Sequence, residues 1–301
     1  MRGTLPLFGV LTLLGAGWGI TMPLTKITVS AGYQHFGLIF WQFATSVALM
    51  GSVLLLRRRL NRPSAPQIRF ACLIAVIGTL LPNSASYQAA VHLPSGVISI
   101  LLSLIPMLAF PIALSLGNDR FSARKLIGLT LGFGAVVLIA ANSGSFEGDV
   151  TLWWIAVALV APSFYALEGN VVAKWGTYGF DAIETLFWSS VFGLVPSLLL
   201  ALGTGQFIPV PATWGPPEFA FLIIAVAHAV VYAGYVWLVS NAGPVFAAQV
   251  SYLVTIFGIF WAIVLLHEAY ANGIWLALAL MLSGMFLVQP RARKSEEDAL
   301  A

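Results

Sequence analysis

Glu168 is the clearest ionisable side chain inside a long apolar stretch of this 301-residue sequence, and Tyr165 lies three residues earlier on the same helical face. If that stretch spans a bilayer, a charge near its centre costs at least about 2.5–3.5 kcal/mol, so its presence indicates a function. We interpret Glu168 as a contact for a substrate amine or a coupling proton. The alternative is a carboxylate that reaches the membrane surface or pairs with Lys174.

An imidazole and two phenols share one helical face further along the chain. His228, Tyr232 and Tyr235 are spaced i, i+4 and i+7. Three such side chains in a row favour a polar cavity over contact with lipid, and His228 is a second candidate for carrying a proton. A single buried histidine is more often a hydrogen-bonded core residue, and that alternative stays open for His228.

A third polar face follows Pro82. Asn83 and Tyr87 are four residues apart, and Ser84 and Gln88 form the neighbouring row. Because proline has no N–H, Pro82 leaves a backbone carbonyl of the preceding turn without its usual donor. We predict that Asn83, Tyr87 and Gln88 line the same cavity as Glu168; the alternative is that they only pack between helices.

Three further residues are candidates with an equally simple alternative. Gln249 and Tyr252 are spaced i and i+3, and either line the cavity or make interhelical hydrogen bonds worth about 0.6–2 kcal/mol in membranes. Trp18 lies in the middle of an apolar run, whereas tryptophan prefers the membrane interface, so it forms a cavity wall or packs against other helices. Lys26 extends toward the surface in the simplest interpretation.

The composition predicts a membrane protein. Only 8% of the residues are charged and 59% are hydrophobic, whereas soluble domains carry about 25% charged residues. Ten runs have the length of a membrane-spanning helix, and they are continuously apolar rather than alternating, which predicts an all-α integral membrane protein. The runs lie at residues 5–29, 36–56, 68–91, 95–117, 124–141, 150–174, 182–203, 218–240, 244–266 and 271–289.

Several functions lack their residues in this sequence. The single cysteine, Cys72, excludes an internal disulfide and a cysteine-based metal cluster. Basic residues are not interleaved with aromatic ones, so nucleic-acid binding has no support. The sequence has no P-loop, HExxH or GxSxG pattern, which argues against direct ATP use and against an enzyme. We therefore expect no cofactor and no metal.

Positive charge collects in alternate gaps between the runs. With the N-terminus placed in the cytoplasm, 13 of the 14 Lys and Arg residues fall inside and Lys26 alone falls outside. This bias predicts that both termini are cytoplasmic. The inside residues are Arg2, Arg57, Arg58, Arg59, Arg62, Arg69, Arg120, Arg124, Lys125, Lys174, Arg291, Arg293 and Lys294.

The two halves of the chain also resemble each other. We divide the chain into five-helix repeats at residues 1–142 and 143–290, followed by a charged tail at 291–301. Because each repeat has an odd number of helices, the second must be inverted in the membrane, which is an architecture of secondary transporters. The matched pairs, at shifts of 148 to 150 residues, are Lys26 with Lys174, Tyr87 with Tyr235, Asp119 with Glu268 and Gly134 with Gly284.

The chain resembles the drug/metabolite transporter superfamily, specifically its EamA family. The motifs that carry the resemblance are Gly17-Trp18-Gly19 with Lys26, Tyr87-Gln88-Ala89-Ala90, Leu104-Ile105-Pro106, the segment from Gly128 to Gly134, and His267-Glu268. Two positions depart from the family pattern: Gln42 stands where an arginine is common, and Asp119 stands where glutamate is commoner. The resemblance implies a carrier of small organic solutes, frequently an exporter of amino acids or related metabolites.

These observations together predict a secondary transporter of the bacterial inner membrane that works by alternating access. Its expected partners are a small-molecule solute, the lipid bilayer and protons as a coupling ion, and we expect a monomer or a weak dimer. Two alternatives within the class are a multidrug or organic-cation efflux pump and a metabolite uptake permease. A membrane-embedded enzyme or assembly factor is a distant alternative.

Overall fold

The computed structural model describes residues 5–141, 152–210 and 213–289, and all regular secondary structure in them is helical. Eight helices are long and apolar enough to cross a membrane, and two shorter apolar helices follow. In chain order they are α1 Pro6–Ser30, α2 His35–Leu56, α3 Ala65–His92, α4 Ser95–Leu116, α5 Ala123–Ala141, α6 Leu152–Trp175, α7 Ala182–Gly203, α8 Pro216–Val239, α9 Val250–Leu266 and α10 Asn272–Val288.

The prediction of an all-α membrane protein is confirmed, and each predicted run coincides with a helix. The largest difference is at the ninth run, where a four-residue helix, Pro244–Ala247, precedes α9 and a turn at Ala248 and Gln249 separates the two. The predicted boundary between the repeats at 142–143 and the tail at 291–301 lie outside the described residues.

Four of the helices are interrupted four residues before a proline. A proline cannot donate to the carbonyl four residues earlier, so the regular hydrogen bonding stops there. In α1, α4 and α6 the residue four before the proline is the last of a helical segment. In α3 it lies in a five-residue π-helix, Val76–Leu80. The pairs are Gly19 with Pro23, Gly78 with Pro82, Leu102 with Pro106 and Ala158 with Pro162. Pro111 and Pro196, in contrast, do not interrupt the helical segments that contain them, Ile105–Leu116 and Ala182–Gly203.

The helices pack mainly across the two halves of the chain. α5 packs on α10, α2 on α7 and α4 on α9. α1 contacts α8 and α9, while α6 contacts α3 and α4. α2 also contacts α8, and α3 contacts α7. The two halves of the chain therefore form one helical bundle, and a large apolar core joins them.

Glycines allow the closest of these contacts, between α5 and α10. A Cβ atom on Gly128 would lie 2.7 Å from the Gly284 carbonyl oxygen, and one on Gly284 would lie 2.6 Å from the Gly128 carbonyl oxygen. The two backbones therefore touch, as expected for small residues at a membrane helix interface. The glycine spacing of α5 serves packing within the chain.

We expect Gly128→Ala to destabilise the protein by about 1–3 kcal/mol, because the added methyl group overlaps backbone that has no room to move. Thermal unfolding in detergent measures the change. Gly134→Ala, on the same helix, is the matched control, since its Cβ would meet only Leu280 Cδ1 at 3.9 Å. Equal melting temperatures for the two variants would contradict the packing described for this seam.

Candidate functional site

A hydrogen-bonded network of amides and phenols joins α2, α3 and α6 inside the bundle. Asn83 Nδ2 donates to Gln42 Oε1 at 2.8 Å, and the Tyr87 hydroxyl donates to the same oxygen at 3.0 Å. The Tyr165 hydroxyl donates to Asn83 Oδ1 at 2.6 Å. Gln42, Asn83 and Tyr87 are buried. Since buried polar groups without partners are costly, this network fixes the relative positions of the three helices.

Glu168 lies next to this network but outside it. Its carboxylate rests against Gly78 of α3, where a Cβ atom would come within 2.6 Å of Oε1. Tyr165 and Tyr232 both lie close enough to the carboxylate to interact with it electrostatically. Among the described residues, none donates a hydrogen bond to Glu168 and the ion pairs do not include it; Lys174 Nζ donates to the Leu116 carbonyl at 2.7 Å. The carboxylate is therefore available to a ligand or a proton.

The π-helix in α3 makes room for Glu168. Leu81 N–H donates to the Val76 carbonyl, five residues back, so the helix is wider here than a regular α-helix. Pro82 explains the widening, since it cannot donate to Gly78. The missing side chain at Gly78 then leaves space for the carboxylate from α6. A local irregularity of α3 and a small residue thus position the acid.

The predicted face of α8 divides between two neighbours. Tyr232 faces Glu168, whereas the Tyr235 ring packs against Trp18 of α1 with ring centroids 5.9 Å apart. Trp18 also packs against a cluster formed by α1, α8 and α9. His228 lies one turn before Tyr232 and is partly buried. α1 and α8 thus form an aromatic wall, and Tyr232, one turn before Tyr235 on α8, lies near the acid.

Three predicted residues lie elsewhere. Gln88 is exposed in a pocket of ≈ 360 Å³ between α1, α2, α3 and α6, whose floor is Tyr87. The Tyr252 hydroxyl is buried without a partner among the described residues and lies near Arg124 of α5, away from the Glu168 side chain. Gln249 forms part of the turn before α9. The structure therefore does not bring these three into contact with the acid.

Two charged side chains hold the turn between α3 and α4. Lys26 Nζ donates to the Val91 and Leu93 carbonyls at 2.9 and 3.1 Å. Glu268 accepts from Ser95 N at 2.8 Å, from Ser95 Oγ at 2.9 Å and from Gly96 N at 3.2 Å. A cation on the last carbonyls of α3 and a carboxylate on the first N–H groups of α4 both complement the helix dipoles. We name this arrangement the Lys26–Glu268 clamp.

Side chains beside the clamp and at the opposite end of the bundle have shifted pKa values. Burial, together with the neighbouring Glu268, raises the pKa of Tyr270, whose hydroxyl donates to that carboxylate. The hydrogen bond from Lys125 holds the pKa of Asp119 below its usual value. Asp119, the sequence counterpart of Glu268, thus pairs with Lys125 in the first turn of α5 and with the Arg120 N–H, and among the described residues it makes no hydrogen bond to the start of a helix in the other half.

Gln42 and Gly78 are the site residues that the sequence did not identify. Gln42 accepts two hydrogen bonds, which an arginine could not do because it has no acceptor. Its departure from the family pattern was the available signal. Gly78 was detectable as the residue four before Pro82. Within the described ranges, no three His, Cys, Asp or Glu side chains gather as a metal site.

The enclosed polar groups can hold a solute away from the hydrocarbon, and the class of protein built this way is the multi-pass membrane transporter. The sequence profile of the EamA-like transporter family matches residues 7–141 and residues 152–289. This chain belongs to that family, and the resemblance seen in its motifs is confirmed.

Individual relatives agree along nearly the whole chain. "Uncharacterized transporter YvbV" of Bacillus subtilis (strain 168) is 25% identical over 97% of this chain and 94% of its own length. "Uncharacterized inner membrane transporter YedA" of Escherichia coli (strain K12) is 22% identical over 95% of this chain and 92% of its own. One crystal structure shares the fold with a TM-score of 0.60 and 18% identity, covering 92% of this chain and 95% of that one.

We expect Gly78→Ala to leave the fold intact but to displace the Glu168 carboxylate, because the flexible acid can move where backbone cannot. Flux at solute concentrations below saturation should fall about tenfold, which corresponds to a loss of about 1.4 kcal/mol of binding free energy. The measurement is flux of labelled L-phenylalanine and phenylethylamine in proteoliposomes. Gly169→Ala is the control, since a Cβ there meets no atom within 4 Å. Wild-type flux in Gly78→Ala would show that the glycine is not needed.

Proposed function

We propose that this protein is a secondary transporter that exports small organic metabolites, such as amino acids or related nitrogen compounds, across the bacterial inner membrane. The observation that carries the proposal is the unpartnered Glu168 carboxylate beside a neutral network in the interior of the bundle. A carboxylate kept in this environment contacts solute or carries the coupling proton. The site is built within one chain, so a monomer suffices.

The packing pattern supports a duplicated and inverted architecture. When each helix of the first half is exchanged with the helix five places later, the nine helix pairings described above map onto one another. For example, α1 on α9 becomes α6 on α4, and α1 on α8 becomes α6 on α3. The family profile also matches two ranges of similar length. With five helices in each half, such a repeat is inverted and permits alternating access.

Charge supports an orientation with both termini in the cytoplasm. Among the described Lys and Arg residues, Lys26 lies at one end of the bundle and the others lie at the ends of helices or in loops that face the opposite side. The positive-inside rule assigns that opposite side to the cytoplasm. The Lys26–Glu268 clamp then lies at the outer surface.

The two ends of the bundle differ in a way that indicates the state of the transporter. Under the inverted repeat, Lys174 is the counterpart of Lys26 and Asp119 is the counterpart of Glu268. Lys174 would then hold the end of α8, and Asp119 the helix that begins at residue 244. Instead, Lys174 donates to the Leu116 carbonyl and Asp119 pairs with Lys125. We propose that this is the state closed to the outside, and that the counterpart contacts form when the inside closes.

We expect Glu168→Gln to reduce pH-gradient-driven flux in proteoliposomes by about tenfold or more, because an amide neither exchanges a proton nor attracts a cation. Labelled L-phenylalanine and phenylethylamine serve as probes, and the side from which flux is faster gives the direction. The control is Glu184→Gln, which changes a helix-capping acid of α7 far from the site. Wild-type flux in Glu168→Gln at every pH tested would remove Glu168 from the mechanism.

We expect the double variant Lys26→Gln, Glu268→Gln to open the outer end of the bundle, because the α3–α4 turn loses both charged contacts. In a Cys72→Ala background, a cysteine at Ser99, which is buried one turn beyond Ser95, reports the opening. A membrane-impermeant maleimide added to intact cells should label it faster in the double variant.

The same experiment tests the orientation. A cysteine at Asn61, in the loop after α2, should be labelled only after the cells are permeabilised. Labelling of that cysteine in intact cells would reverse the proposed orientation. Equal labelling at position 99 with and without the clamp would show that the clamp does not hold the outer end closed.

A further inference from the structure

The Glu168 carboxylate has no compensating positive charge among the residues that the structure describes. Lys174, on the same helix, donates to the Leu116 carbonyl. Lys26 donates to the carbonyls at the end of α3. The remaining described Lys and Arg residues lie in loops or within the first turns of helices. The interior site therefore has a net negative charge whenever Glu168 is ionised.

The polar network beside Glu168 cannot supply the missing charge. Gln42, Asn83, Tyr87 and Tyr165 are neutral side chains, and the two phenolic hydroxyls already donate to amide oxygens. His228 and Tyr232, on α8, are the titratable groups that complete the surroundings, and neither forms a hydrogen bond to another described residue. None of these groups offers a fixed cation to a ligand.

Backbone N–H groups at two helix interruptions are already engaged as well. In many transporters, the free N–H groups at the start of a half-helix bind a substrate carboxylate. In α4, Leu104 N–H donates to the Leu101 carbonyl and Met107 N–H donates to the Leu104 carbonyl. At the turn before α9, Tyr252 N–H donates to the Gln249 carbonyl. Backbone hydrogen bonds therefore occupy these three N–H groups.

Aromatic rings supplement the carboxylate. Tyr165 and Tyr232 flank Glu168, and the Trp18–Tyr235 pair lies one turn further along α8. The faces of such rings attract cations by about 0.5–2 kcal/mol, more strongly where water is excluded. An anionic group brought to the same place would lose its hydration without gaining a partner.

From this charge balance we infer that the site takes a solute with one cationic amine and no anionic group. A simple amine is bound in preference to the amino acid that carries the same side chain. The inference rests on the proposed function and narrows its substrate class. The ammonium pairs with Glu168 between the two tyrosine rings, and the apolar remainder of the solute packs against the Trp18–Tyr235 wall.

Two matched pairs of compounds test the inference. Phenylethylamine differs from L-phenylalanine, and isoamylamine from L-leucine, only by the carboxylate. Binding to purified protein in lipid nanodiscs is measured as thermal stabilisation over a concentration series, which gives Kd because stabilisation follows RT ln(1 + [L]/Kd). We expect each amine to bind about tenfold or more tightly than its amino acid, a difference of about 1.4 kcal/mol. 3-Phenylpropionate, the anion without the amine, should not bind.

Variants assign the preference to the acid. Glu168→Gln should lower the affinity for the amines to that for the amino acids. Glu168→Asp should keep the preference for amines, with a lower affinity for them. Glu184→Gln should behave as wild type. If Glu168→Gln does not fold, Glu168→Asp still reports on the carboxylate. Amino acids that bind as tightly as their amines, with Glu168 needed for both, would overturn this inference and leave the proposed function intact. If wild-type protein neither binds nor carries any of these compounds, both fail.

Discussion

The absence of water from the bilayer interior is the constraint on which the rest of this structure depends. Every buried polar group must find its partner within the chain, and Gln42, Asn83, Tyr87 and Tyr165 do so by bonding to one another across three helices. That mutual satisfaction leaves Glu168 without a donor. The acid is held beside groups that are already engaged, which is how a membrane protein can keep a carboxylate ready for a ligand rather than for its own fold.

Proline brings the same constraint to the backbone, because it removes a hydrogen-bond donor from a helix. Each of four helices loses one hydrogen bond at the carbonyl four residues before a proline, and each is interrupted there. Three of these helices, α1, α3 and α6, contribute Trp18, Asn83 and Glu168 to the site or its wall. The interruptions therefore lie where side chains from different helices must approach, and α3 shows the effect most clearly, since its widened turn admits the acid from α6.

The sequence predicted the helices well because apolar length and continuity are local properties, and its helical spacing placed Tyr165 on the same face as Glu168. It could not predict which polar faces meet. Gln88 and Tyr87 are neighbours in sequence, but only the Tyr87 hydroxyl enters the network, because adjacent residues of a helix point in different directions and α3 buries the row that contains Tyr87. Tyr252 has a similar spacing signal, yet α9 directs it toward Arg124. Gln42 was missed because its role depends on two donors from another helix.

The contact between α5 and α10 limits the kinds of motion available to the two halves. Gly128 and Gly284 each face the carbonyl oxygen of the other helix, and Leu287 and Val288 flank the Gly128 position. Sliding one helix along the other by a turn would drive these larger side chains into backbone. The contact therefore opposes sliding of α5 along α10. This close backbone contact, with one helix from each half, joins the two halves along this edge of the bundle.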